Sequence, residues 1–201
     1  MSAPRYHRPT FPGEDFFDSL PGDEDPALRA AAGARVATLL VRGARTEDDR
    51  GLVERVVNLT DQHGLDTLAE LWSGAPADSL AGVLWRLYVL RAWVRREPVR
   101  AAREFDAGKR FAPVDEVVAG VVDPPGPQEV AHLVDTVVAG VVSGDFADTL
   151  DRASAFARLV GVGRAHLSED PATSVESAAR LVGTANVLRD AARAERTSPL
   201  T

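Results

Sequence analysis

The chain contains no cysteine. Disulfides, thiolate metal sites and cysteine nucleophiles are therefore excluded. The absence fits a reducing compartment, and a cytoplasmic location is expected. Lysine is almost missing as well: Lys109 is the single lysine among 23 basic residues. With the heavy use of Ala, Val, Asp and Gly, this points to a GC-rich coding sequence. The arginine content thus reflects nucleotide bias as much as chemistry. No run of about 18 or more apolar residues occurs, so no membrane-spanning helix is expected. The opening residues, MSAPRYHRPTFPGEDFF, lack the apolar core of a signal peptide. A net charge of −7 opposes nonspecific attraction to nucleic acid or anionic lipid. Sustained apolar–polar alternation is also lacking, so no strand is expected.

What is present reads as helix. Hydrophobic residues make up 45% of the 201 positions, enough for one core in one domain. The expected fold is all-α: a single multi-helix domain over residues 26–195, with about eight or nine helices. Residues 1–25 read as a flexible arm and residues 196–201 as a frayed end.

Local signals set the expected helices. Asp25-Pro26 is a cap followed by Pro at the first helical position, and Gly43 falls near that helix's end. Thr46 opens a second helix, ending near Gly64, and Asp66 opens a short third. The most distinctive helix covers 79–96, SLAGVLWRLYVLRAWVRR. Leu80, Val83, Leu84, Leu87, Leu90 and Val94 share one face, while Trp85, Val89 and Ala92 lie opposite. Apolar faces on both sides predict burial between other helices, at the centre of the fold. Pro98 opens the next helix. Later helices are expected over 114–122, 127–142, 146–167 and from Asp170-Pro171 to about Arg193.

One sequence element occurs twice. Val114–Val122 and Val134–Val142 differ only at Glu116/Thr136, and each contains Val-Val-Ala-Gly-Val-Val. Pro124-Pro125-Gly126-Pro127 between them predicts two antiparallel helices joined by a tight turn. Gly120 and Gly140 would sit where backbones approach closely.

The arm is acidic and aromatic. Six acids against Arg5 and Arg8 give it a charge of −4, and Tyr6, Phe11, Phe16 and Phe17 supply four of twelve aromatic residues. Disordered segments are usually poor in aromatics. The arm is expected to dock, either on its own domain or on a protein partner, including a second copy of the chain.

Residues 79–110 carry eight basic against three acidic residues, a net charge of +5. Arg86, Arg91, Arg95 and Arg96 are the candidate anion-binding residues. The alternative is a set of arginines paired with acidic neighbours. Arg91 lies on the Leu84–Leu87 face, so burial and a structural ion pair are expected for it, with an anion ligand second.

Other patterns fall short. Around Gly64 a helix-turn-helix spacing exists, but Asp66 and Glu70 would repel phosphates and no arginine is placed to read bases. Glu129 and His132 have the Glu-x-x-His spacing of paired metal sites without a second copy, and both are expected to face solvent. Gly108-Lys109 lacks the rest of a phosphate loop. Gly161 and Gly163 read instead as points of close helix approach or weakness. Gly-x-Ser-x-Gly is absent. No cofactor or metal is expected, and the negative net charge argues against a nucleic-acid partner.

The stretches Ser73–Gly82 (SGAPADSLAG) and Leu84–Arg96 (LWRLYVLRAWVRR) resemble helical, uncharacterised proteins of high-GC bacteria. The resemblance implies an all-helical fold and supplies no functional residues. The function expected first is a non-enzymatic interaction or regulatory module. A binder of a small anion or nucleic acid comes next, and an enzyme without a familiar motif third.

Overall fold

The computed structural model describes residues 26–43, 51, 71–111, 126–129, 131–132, 145–167 and 171–201. Every regular element among them is helical, as the sequence predicts. Five helices are bounded: α1 (Pro26–Arg42), α2 (Leu80–Arg96), α3 (Pro98–Phe111), α4 (Phe146–Leu167) and α5 (Pro171–Thr197). A helical stretch also starts at Pro127, making six helices of more than two residues among the described residues, where eight or nine were expected for the whole domain. Gly51, Leu71 and Trp72 are helical too. The helices expected from Thr46 and over 114–122, and both Val-Val-Ala-Gly-Val-Val copies, lie outside the described residues. None of the described helices is long and apolar enough to cross a membrane.

The helix ends follow from local chemistry. α1 stops at Gly43, whose φ of 79° is the left-handed conformation that glycine adopts without strain. Its N–H donates to the Leu39 carbonyl at 3.0 Å. α2 starts at Ser79, whose Oγ accepts the Gly82 N–H at 3.1 Å. It ends at Glu97, because a residue before proline is sterically pushed out of the helical region. The Glu97 backbone, at φ −129° and ψ 56°, shows this departure. Pro98 then opens α3 at the position where a missing N–H costs nothing. α4 is capped by Asp145, whose carboxylate accepts the Ala147 N–H at 2.8 Å.

One hydrophobic core draws on all five helices. α2 contributes Leu80, Val83, Leu84, Leu87, Leu90 and Val94 from the face its periodicity marks. Each such side chain contributes about 1.5–3 kcal/mol when fully buried. The central place expected for this helix is shared with α4, which packs extensively on both α3 and α5. Against α5, Gly161 of α4 lies at the Ala178 carbonyl and the side chains of Leu181 and Val182. A small residue there lets two backbones come close, and Ser154 Oγ donates to the Ala185 carbonyl at 2.7 Å. Against α3, Phe156 stacks on Phe105 with centroids 5.5 Å apart. Gly163 and Gly108 there bring α4 and α3 into backbone contact. Gly161 and Gly163 are thus close-approach residues, one of the two alternatives their sequence raised.

α5 stays helical to Thr197, and the residues after it are tied down. Glu195 explains this, being the hub of three contacts from distant or later residues. Arg42 donates to both of its carboxylate oxygens, with Nη2 at 2.6 Å from Oε2. The Leu200 N–H donates to Oε2 at 2.8 Å. Leu200 packs against the core, and the Thr201 carbonyl accepts the Leu80 N–H at 3.0 Å. This last bond satisfies a donor at the start of α2 that the helix itself cannot. Glu195→Ala is expected to cost about 1–3 kcal/mol by leaving these donors without their acceptor, measured by urea denaturation. A loss below about 0.5 kcal/mol would show that this lock contributes nothing.

Candidate functional site

A groove lies between α2 and α5. The chain direction is antiparallel: the start of α2 lies by Thr201, while Trp93 near its end lies by Arg164, which bonds Ser177 near the start of α5. α2 lines the groove with Trp85, Arg86, Val89, Leu90 and Trp93. α5 lines it with Ser177, Arg180, Leu181 and Thr184, and Arg164 of α4 closes one end. The cavity volume is about 450 Å³, within the range that holds a small organic ligand.

This groove explains the second apolar face of α2. Sequence periodicity predicts that Trp85, Val89 and Ala92 pack into another helix. Instead Val89 is 45% exposed and Trp85 is half-buried. Trp85 and Val89 line the cleft, and Ala92 stands outside its lining. Trp85 is held by its neighbour Tyr88, whose ring lies 5.7 Å away at 21°.

Beneath the groove sits a buried ionic network. Arg164 donates Nε and Nη2 to Glu104 Oε2 at 2.9 and 2.8 Å, and Nη1 to Ser177 Oγ at 2.7 Å. Glu104 Oε1 accepts Arg100 Nε at 2.7 Å. That hydrogen bond is the main cause raising the Arg100 pKa above its ordinary value. The Arg164 guanidinium carbon lies 4.9 Å from the Trp93 ring centroid, a cation–π distance. Glu104 and Arg164 are 5% and 9% exposed. Burial of this pair is tolerated because each charge meets its opposite and is hydrogen-bonded.

Comparison with protein-family models, curated proteins and solved structures returned no match.

The candidate anion-binding arginines separate in the fold. Arg86 lines the groove. Arg91 is half-buried and outside it, while Arg95 and Arg96 are exposed. Arg164 makes a buried ion pair, with Glu104. The basic stretch is also divided, because the chain turns at Glu97-Pro98 into α3, where Arg100 pairs with Glu97 and Glu104. Tyr6, Phe11, Phe16 and Phe17 lie outside the described residues. Glu129 and His132 are exposed, as expected. No group of three or more His, Asp or Glu residues is placed to hold a metal among the described residues.

Sequence reasoning did not find Trp93, Arg164, Ser177, Arg180 or Leu181. The signal available for the groove was the doubled apolar face of α2 with Arg86 beside it. Arg164 and Ser177 gave none, because nothing local marks a residue whose partners come from other helices.

Proposed function

We propose that this protein is a non-enzymatic binding module whose α2–α5 groove takes a small anionic ligand with an apolar body. The observation that carries this reading is the lining itself. Two tryptophans and the side chains of Val89, Leu90 and Leu181 offer apolar surface, and of the three lining arginines Arg86 has no carboxylate partner among the described residues. No acidic residue stands among the described lining residues. Aromatic walls with a few well-placed polar groups are what small-molecule sites use to bind and orient a ligand. Ser177 Oγ is already engaged by Arg164, which suits a structural role better than a nucleophilic one.

Tryptophan emission tests the reading directly. Two of the three tryptophans line the groove, and the third, Trp72, is fully buried with its indole N–H on the Gly33 carbonyl at 3.0 Å. Titration with anilinonaphthalene sulfonate, an anionic aromatic probe, should quench this emission saturably. It should also raise the melting temperature, since a ligand at 100 times its Kd adds about 2.7 kcal/mol. Val89→Glu, which places a carboxylate across the mouth and beside Arg86, should abolish both effects. Equal quenching in Val89→Glu would move the site elsewhere.

A further inference from the structure

We infer that the groove selects an amphiphilic monocarboxylate, with its carboxylate on Arg86 and its apolar chain running along α2 toward Trp93. The inference rests on the groove being the ligand site and adds the class of ligand and its direction.

The three groove arginines differ in what already neutralises them. Arg164 spends two donors on the Glu104 carboxylate and a third on Ser177. Arg180 pairs with Glu176 at 2.9 Å on the exposed rim. Arg86 has no carboxylate partner among the described residues. Its Nη1 donates at 2.8 Å to the carbonyl of Gly82, a neutral acceptor one turn back on its own helix. The side chain is half-buried, so part of its hydration is lost without a counter-charge. A carboxylate offers the planar, two-oxygen acceptor that a guanidinium fork matches. One cation lacking a counter-ion calls for one negative charge. A dianionic phosphate ester would leave a charge unpaired in an apolar cleft.

The rest of the lining sets the ligand's body. Trp93 lies seven residues beyond Arg86, about 10 Å along the helix axis. Between them lie Val89 and Leu90, with Leu181 contributed by α5. None of these can hydrogen-bond a chain through its side chain, so this span suits methylenes or an aromatic ring. At the far end Arg164 is held over Trp93 by Glu104 and Ser177, which closes the groove with a fixed wall.

The test is calorimetric titration of the full chain with decanoate, decanol, decylammonium and decyl phosphate. Decanoate should bind most tightly. Arg86→Gln should weaken decanoate by about 10- to 100-fold, the loss expected for a charged hydrogen-bonding partner, and leave decanol unchanged. Arg86→Lys, which keeps the charge but not the fork, should fall between. Unaltered melting of the unliganded variants guards against a folding defect. Equal binding of decanol and decanoate, or full-strength decanoate binding by Arg86→Gln, would overturn the carboxylate anchor. The groove reading would survive that outcome if Val89→Glu still blocks binding. Tighter binding of decyl phosphate would overturn the monoanion class. Tighter binding of a synthetic peptide of residues 9–20 would make an acidic aromatic segment the occupant instead. Binding of none of the decyl compounds would overturn the inference outright, and anilinonaphthalene sulfonate quenching would then report separately on the groove.

Discussion

Gly163→Ala is expected to lower the melting temperature by about 6–12 °C. A Cβ at Gly163 would overlap the Glu104 carbonyl oxygen, and would sit 2.7 Å from both the Glu104 carbonyl carbon and the Gly108 nitrogen. The obstruction is α3 backbone, which cannot rotate away as a side chain can. Gly108 meets the reciprocal obstacle, since a Cβ there would overlap the Leu159 carbonyl oxygen and lie 2.6 Å from its carbon. Either methyl group therefore forces α3 and α4 apart along their crossing, loosening the Phe105–Phe156 stack. Overpacking of this kind costs about 3 kcal/mol at the upper end of its usual range. For a chain of this size each kcal/mol moves the midpoint by about 2–4 °C. Gly183→Ala is the matched control. It lies in α5, where an added methyl group would meet nothing within 4 Å, so it should stabilise by about 0.5–1 kcal/mol through helix propensity alone. Calorimetric melting of the three proteins decides the matter. A shift under about 2 °C for Gly163→Ala would refute the backbone contact.

Glu104→Ala is expected to cost about 3–5 kcal/mol, because it strands the Arg164 charge in the core. The loss should be visible as a lower urea midpoint with little change in the slope. It should also disturb Trp93, since Glu104 is what holds the guanidinium over that ring. Joint replacement, Glu104→Leu with Arg164→Leu, should recover most of the stability, because exchanging a buried ion pair for apolar side chains is often neutral. Full additivity of the two single losses would show that the residues do not act on one another. The joint variant should melt normally and still bind ligand differently, because the end wall of the groove would then be apolar.

Much of the helix framework is written in short-range chemistry. Ser79, Asp145, Gly43 and the Glu97-Pro98 step each mark a boundary through bonds or clashes within a few residues, so their effect is legible without knowing the fold. The buried face of α2 is legible for the same reason, since its spacing places six apolar side chains on one side. The opposite face is not legible in this way. Its composition, Trp85 with Val89 and Ala92, is the same whether a helix or a ligand is to cover it.

The glycines show where local chemistry stops. Gly161 and Gly163 are recognisable from sequence as small positions in a helix, but their partners are not. The contact of Gly163 with Glu104 depends on how α3 crosses α4, and crossing is set by the packing of both helices at once. The end of α5 is similar. Its last residues look polar and unremarkable, yet Glu195 gathers Arg42 and Leu200, and Arg42 stands on a helix more than a hundred positions earlier.

Helical class, the principal boundaries and the core face of α2 thus follow from the amino-acid order, because neighbouring residues alone decide them. The pairing of Arg164 with Glu104, the anchoring of residues 198–201 and the opening between α2 and α5 were decided by tertiary structure. Each depends on the angle and distance between helices, and a buried charge can settle only where that geometry brings it a partner.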